Sequence, residues 1–233
     1  MTEITVLAVT RLGSGVCVAG VDDEGKWVRP TRPSSSGWRQ LEYSDCRDES
    51  GDWVIRKGNI VAMNLVKPIP LGAHTEDWLV GQGRPKLVKQ LTDDEYREVC
   101  KDLQEGSTAP VEGPDAVRSL MVVHPNKVTS FSFNIDVNWE GQKRYTPRCT
   151  FRLGGRLHQG VAISDAEWRG YGRGQRKRLG GDGRVVAEDI FGELETRDCW
   201  LTLGRNEVRS SVYLMAIGVH LFPVRHFNMD FKR

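Results

Sequence analysis

Short runs of β-branched and aromatic residues, bounded by Gly, Pro, Asp and Asn, recur from one end of the chain to the other, and long helical periodicities are scarce. Strand side chains alternate between two faces. The run VTSFSFNIDV (Val128 to Val137) therefore reads as a strand with Phe131, Phe133, Ile135 and Val137 on one side and Ser130, Ser132, Asn134 and Asp136 on the other. Near the N-terminus, EITVLAVT (Glu3 to Thr10) returns past Gly13 as GVCVAGVD (Gly15 to Asp22), and a turn at Asp22 to Gly25 leads into Lys26-Trp27-Val28-Arg29. Pro30, with no N–H for a ladder, is expected to end that third strand.

Residues 31 to 52 are polar and rich in turn formers, which predicts a long connection. Strands are expected at Trp53-Val54-Ile55 and Asn59 to Val66, and irregular chain from Pro68 to Pro85. One helix stands out: Thr92 and Glu95 form a capping box, and Tyr96, Val99, Cys100 and Leu103 line one face before Gly106. After the loop Ser107 to Asp115 and a short segment from Ala116 to Pro125, Arg148 to Leu153 and Leu157 to Ile163 form a hairpin around Gly154-Gly155. Further strands are expected at Trp200 to Leu203 and Tyr213 to Phe222. The expected fold is mainly β: two packed small OB-like β-barrels with a short helical connection. The first spans residues 1–115 with helix 93–105, and the second residues 116–233 with a Gly/Arg loop at 168–184. Periodicity alone leaves SH3-like, PUA-like and single-sandwich architectures open.

Several functional classes find no support. Cys17, Cys46, Cys100, Cys149 and Cys199 form no C-x-x-C pair and the five histidines no ligand spacing, so neither a disulfide framework nor a metal site is expected. Gly81-Gln82-Gly83-Arg84 lacks the third Gly of a dinucleotide loop, and GRGQRKRLGG lacks the G-K-[ST] of a P-loop. No cofactor is expected. Asp22, Asp23, Glu24 and Lys26 are nuclease residue types, but their spacing suits a hairpin turn better. Cys17, between Val16 and Val18, reads as an inert thiol, so no catalytic residue is assigned. No stretch approaches the roughly 20 apolar residues of a membrane-spanning helix, and the N-terminus has no secretion-signal pattern, so a cytoplasmic location is expected.

Charge is uneven. Residues 1 to 116 carry 14 Lys and Arg against 19 Asp and Glu, whereas the remainder carries 19 against 12, within an overall net charge of +2. A basic C-terminal half suits an anionic partner, although the same charge also serves solubility.

Four segments, VCVAGVDDEGKWVRP (Val16 to Pro30), RSLMVVHP (Arg118 to Pro125), CTFRLGGRLHQGVAISDAEW (Cys149 to Trp168) and VYLMAIGVHLFP (Val212 to Pro223), together resemble the dual OB-containing domain (DuOB) family. The resemblance covers nearly the whole chain. It implies two OB units packed together and a role in binding nucleic acid or nucleotides, sometimes beside defence systems. That family offers no defined catalytic constellation to carry over.

The candidate sites follow from residue chemistry. Lys143 to Arg184 holds Lys143, Arg144, Arg148, Arg152, Arg156, Arg169, Arg173, Arg176, Lys177, Arg178 and Arg184, and its glycines (Gly170, Gly172, Gly174, Gly180, Gly181) predict a mobile basic loop. In that reading Arg148, Arg152, Arg173, Arg176, Lys177 and Arg178 contact phosphates, and Trp168 and Tyr171 stack on bases. Arg148 and Arg152 share strand parity, which places them on one sheet face below the loop. Trp27 and Arg29 also share a face and form either a second site, including one for a small ligand, or an anchor between barrels. Trp38, Tyr43 and Trp53 carry the same ambiguity. The expected function is a non-enzymatic binder of single-stranded or structured RNA or DNA. The alternatives are a nucleotide or small-ligand sensor or an unrecognised nuclease, marked by a deep enclosed pocket lined by Trp27, Arg29 and acidic side chains, and a regulatory subunit docking on a protein partner.

Overall fold

The computed structural model describes residues 1–12, 14–33, 39–112, 116–137, 140–179, 198–208, 211–224 and 227–231. Trp38, Gly180, Gly181 and Arg184 lie outside them, as does the boundary expected at residue 115. The first sheet is made by β1 (Thr2–Leu12), β2 (Gly15–Val21), β3 (Trp27–Pro33), β4 (Arg39–Gln40), β5 (Asn59–Met63), β6 (Leu65–Pro68), β7 (Asp77–Val80) and β8 (Lys86–Gln90). Helix α1 (Asp93–Leu103) and β9 (Gln104–Glu105) then lead to β10 (Leu120–Val123), β11 (Lys127–Val137), β12 (Lys143–Leu153) and β13 (Arg156–Ile163). Helix α2 (Ala166–Leu179), β14 (Asp198–Val208) and β15 (Ser211–Phe222) complete the order.

Both sheets close into barrels because one strand in each changes neighbour at an asparagine. In the first, β5 pairs with β1 and β6 with β7. The chain turns between them at Asn64, whose carbonyl accepts from the Gly81 N–H at 2.8 Å and whose amide donates to the Gln82 carbonyl at 3.0 Å. In the second, β10 pairs with β14 and β11 with β12. Asn126 makes that corner, donating its N–H to the Arg152 carbonyl at 2.8 Å and accepting from the Gly154 N–H at 3.0 Å. Each barrel is a meander of three strands, a fourth strand lying antiparallel to the first, and a fifth parallel to the third (β7 to β3, β15 to β13). That is the five-stranded Greek-key order of an OB fold.

Alternation fills the barrels. Val16, Val18 and Val28 point into the first with Ile4, Val6 and Val9, and a bulge between Val6 and Ala8 lets β1 present Leu7 and Ala8 to the second barrel. Phe131, Phe133, Tyr145, Cys149 and Phe151 fill the second. Ile135 and Val137, expected on the buried face, are exposed where β11 runs beyond that core. Between the barrels lies an apolar seam of Leu7, Val21, Tyr96, Cys100, Val122, Trp200 and Phe222.

Several local expectations change. Pro30 does not end β3: the Arg29 N–H bonds toward β7, so the missing donor of Pro30 faces the opposite side, where pairing with β2 has stopped at Val28. Trp53 to Ile55 makes only an isolated bridge, Trp53 with Arg47. The stretch from Pro68 to Pro85 contains β7, whose four residues, DWLV, are too few to show a period. Helix α1 has the capping box of Thr92 and Glu95 but stops at Leu103, where Gln104 turns extended. The hairpin turn at Gly154-Gly155 has both φ angles positive, at 55° and 81°, as a two-residue turn of primed type requires.

The largest correction concerns the loop expected at 168–184: residues 166–179 form α2, the helix between third and fourth strands of the second barrel. Its glycines allow close packing rather than breaking the helix. A Cβ on Gly172 would overlap the Phe133 ring and the Tyr145 hydroxyl, and one on Gly170 would overlap the Asn228 carbonyl.

Candidate functional site

The outer face of β12 carries Arg144, Thr146, Arg148, Thr150 and Arg152, while Tyr145, Pro147, Cys149, Phe151 and Leu153 point inward. Arg148 and Arg152 thus share a face, with Arg144 one more step along it. Their spacing is about 13 Å from one to the next. Arg148 donates to the Gly160 carbonyl at 3.0 Å and lies 3.4 Å from Asp136, which also accepts from Thr146. Arg144 and Arg152 are exposed. The flanking strands add Ser132 and Asn134 on β11 and Gln159 on β13, with Leu157 exposed opposite Arg152.

The remaining basic and aromatic candidates are placed differently. Trp168 is 2% exposed, its ring centroid 4.7 Å from that of Phe131 and 5.1 Å from that of Tyr171, so it is core and has no face for a base. Tyr171 is half-buried, with its centroid 4.6 Å from that of Phe227. Both sit on the inner side of the sheet, because α2 plugs the barrel there and leaves the β12 arginines on the opposite side. Arg173 donates to Asp230 and lies over the Tyr145 ring at 4.4 Å, which fixes it as a clamp on the C-terminal segment. Lys177 is exposed, and the side chains of Arg176 and Arg178 lie outside the described residues.

In the first barrel, Trp27 is half-buried against the seam and against Ala8, Ala19 and Leu120, and is therefore an anchor between barrels. Arg29 lies on the same side, its Nε 2.5 Å from Oδ1 of the buried Asp77. Burial alone would lower its pKa, but the Asp77 and Glu76 carboxylates raise it. Tyr43 and Trp53 pack with Phe231. At the β2 to β3 turn, Asp22 Oδ1 accepts from the N–H groups of Glu24 and Lys26 at 3.1 and 2.8 Å, an arrangement that shapes the hairpin. Burial pushes the Cys17 thiol up, which keeps it protonated. Among the described residues no group of three or more His, Cys, Asp or Glu is arranged to hold a metal ion, and no helix is long and apolar enough to cross a membrane.

The small-ligand site considered at Trp27 and Arg29 corresponds to a cleft between the barrels, about 360 Å³ in volume, which Arg29 lines and Trp27 does not; its second wall carried no signal in the sequence. One wall is the outer face of β2 and β3 in the first barrel, with Cys17, Ala19 and Arg29; the other comes from β10, β14 and β15. OB folds bind ligands on the face of their second and third strands. In the second barrel none of the described residues roofs that face, whereas in the first the neighbouring barrel does.

Two five-stranded barrels in OB order, joined through an apolar seam, define a protein with two OB units. The model of the dual OB-containing domain matches residues 2–180, and the chain belongs to that family. Among solved structures, the tetrameric p202 HIN2 is similar over 94% of this chain and 90% of that one, at 8% identity and a TM-score of 0.31. None of the curated proteins matches.

Proposed function

We propose that the protein binds single-stranded nucleic acid on the outer face of β12 and β13, acting as a binder rather than a catalyst. The observation that supports this is the row Arg144, Arg148 and Arg152 on the second strand of the second OB barrel, flanked by Ser132, Asn134 and Gln159 as well as the exposed Leu157. Guanidinium groups at that spacing track a phosphate backbone, while Thr146, Thr150, Ser132 and Gln159 offer hydrogen bonds without blocking approach. Because Trp168 and Tyr171 are committed to the core, affinity on this surface rests mainly on charge, with little contribution from stacking.

The test is fluorescence anisotropy of labelled single-stranded RNA, single-stranded DNA and duplex DNA across a salt series. Each phosphate contact on a single strand contributes about 0.7 to the slope of log affinity against log salt, so R144A/R148A/R152A should lower that slope by about 2. R173A should change it little. Equal binding by the triple variant and wild type, or affinity independent of salt, would overturn the proposal.

A further inference from the structure

The cleft between the barrels has one polar end and one apolar wall. At the polar end, Arg29 is oriented by Asp77 through Nε alone; among the described residues its two terminal nitrogens have no hydrogen-bond partner. His74 stands nearby, its Nδ1 bonded to the Ser119 hydroxyl at 2.7 Å, and Ser119 in turn donates to the buried Glu76. Because the Ser119 proton goes to Glu76, His74 Nδ1–H donates to the Ser119 oxygen, and in that tautomer Nε2 is left as an acceptor. Asp77 is matched by Arg29 and Glu207 by Arg205, and the buried Glu76 accepts from Ser119. The wall is made by Ala8, Ala19, Leu120, Met215 and Ile217.

A volume of about 360 Å³ is at the small end of the range for small-molecule sites. It has room for one compact molecule. A guanidinium pre-set by a carboxylate presents its remaining N–H groups as a fork for a phosphate or carboxylate, and a smooth wall of small and aliphatic side chains takes a flat apolar body. We infer that the cleft is a binding site for a small organic anion, its phosphate or carboxylate on the terminal nitrogens of Arg29 and its planar body against Ala19, Leu120 and Ile217. This site is separate from the β12 and β13 surface and does not depend on nucleic-acid binding there.

Calorimetry on the full chain would use adenosine 5′-monophosphate and 1-naphthoate as phosphate and carboxylate probes, with adenosine and inorganic phosphate as the body and head alone. At least one of the two anions should bind, more tightly than adenosine or inorganic phosphate, and which one binds identifies the head group. R29K keeps the charge but loses the fork and should weaken binding at least about tenfold. M215W narrows the cleft from its half-exposed wall, leaves the Arg29 to Asp77 pair in place, and should do the same. R144A/R148A/R152A should bind the anion as wild type does, which separates this site from the nucleic-acid surface. Absence of binding by both anions, or unchanged binding in both R29K and M215W, would overturn the inference.

Discussion

Lys57 of the first barrel and Asp165 of the second, 108 positions apart, meet in the interior with Nζ 2.5 Å from Oδ2. The ammonium also donates to the Val219 carbonyl at 2.8 Å and lies 3.5 Å from Glu167. Asp165 accepts from the N–H groups of Trp168, at 2.9 Å, and Val219, at 2.8 Å, so one carboxylate caps α2, holds β15 and binds the other barrel. Burial by itself would lower the Lys57 pKa, but Asp165 and Glu167 raise it and keep it charged.

Removing Lys57 leaves the carboxylates of Asp165 and Glu167 buried without the cation between them. Lys57→Met should therefore destabilise by about 3–5 kcal/mol in urea unfolding, whereas K57M combined with Asp165→Asn should lose less than the two single changes added together. Strict additivity would mean that the two side chains do not act as a pair.

The glycines of α2 are not equivalent. Gly172→Ala must displace Phe133 or Tyr145, at a cost of about 1–3 kcal/mol that outweighs the helix preference for Ala. A Cβ on exposed Gly174 meets nothing within 4 Å, so Gly174→Ala should stabilise by up to about 1 kcal/mol. Thermal melts of the two variants should move in opposite directions; a shared direction would contradict the packing of α2 on β11 and β12.

His220 is buried, with Nδ1 2.8 Å from the Tyr96 hydroxyl and Nε2 2.7 Å from the Thr202 hydroxyl. Burial, aided by Lys57, holds its pKa well below the ordinary 6.5. Below pH 6.5 the unfolded chain takes up a proton that the folded protein refuses, so stability is full above that pH and falls on acidification. The contribution is about 1.4 kcal/mol per pH unit. Denaturant titrations between pH 7 and 5 should show this loss, and His220→Gln should flatten it apart from the smaller part due to His158, which burial also lowers. An unchanged slope in H220Q would assign the pH dependence elsewhere.

Local chemistry determined much of the fold. Alternation in VTSFSFNIDV marked β11, the Thr92 and Glu95 box set the start of α1, and paired glycines at 154 and 155 made a turn that side chains with a Cβ resist. The outward parity of Arg148 and Arg152 was readable too, because strand periodicity is a property of the backbone. In WRGYGRGQRKRL, composition pointed the other way. Glycine weakens an isolated helix, and only a neighbouring sheet close enough to need the missing Cβ makes the helix the favoured state. The same contact took Trp168 and Tyr171 into the core. Tertiary structure alone decided that the second-and-third-strand face of the first barrel is roofed by the other, that Trp27 joins the barrels while Arg29 faces the cleft, and that Lys57 meets Asp165. These depend on which surfaces two separately folded patterns bury against each other, and no period within a single strand carries that information.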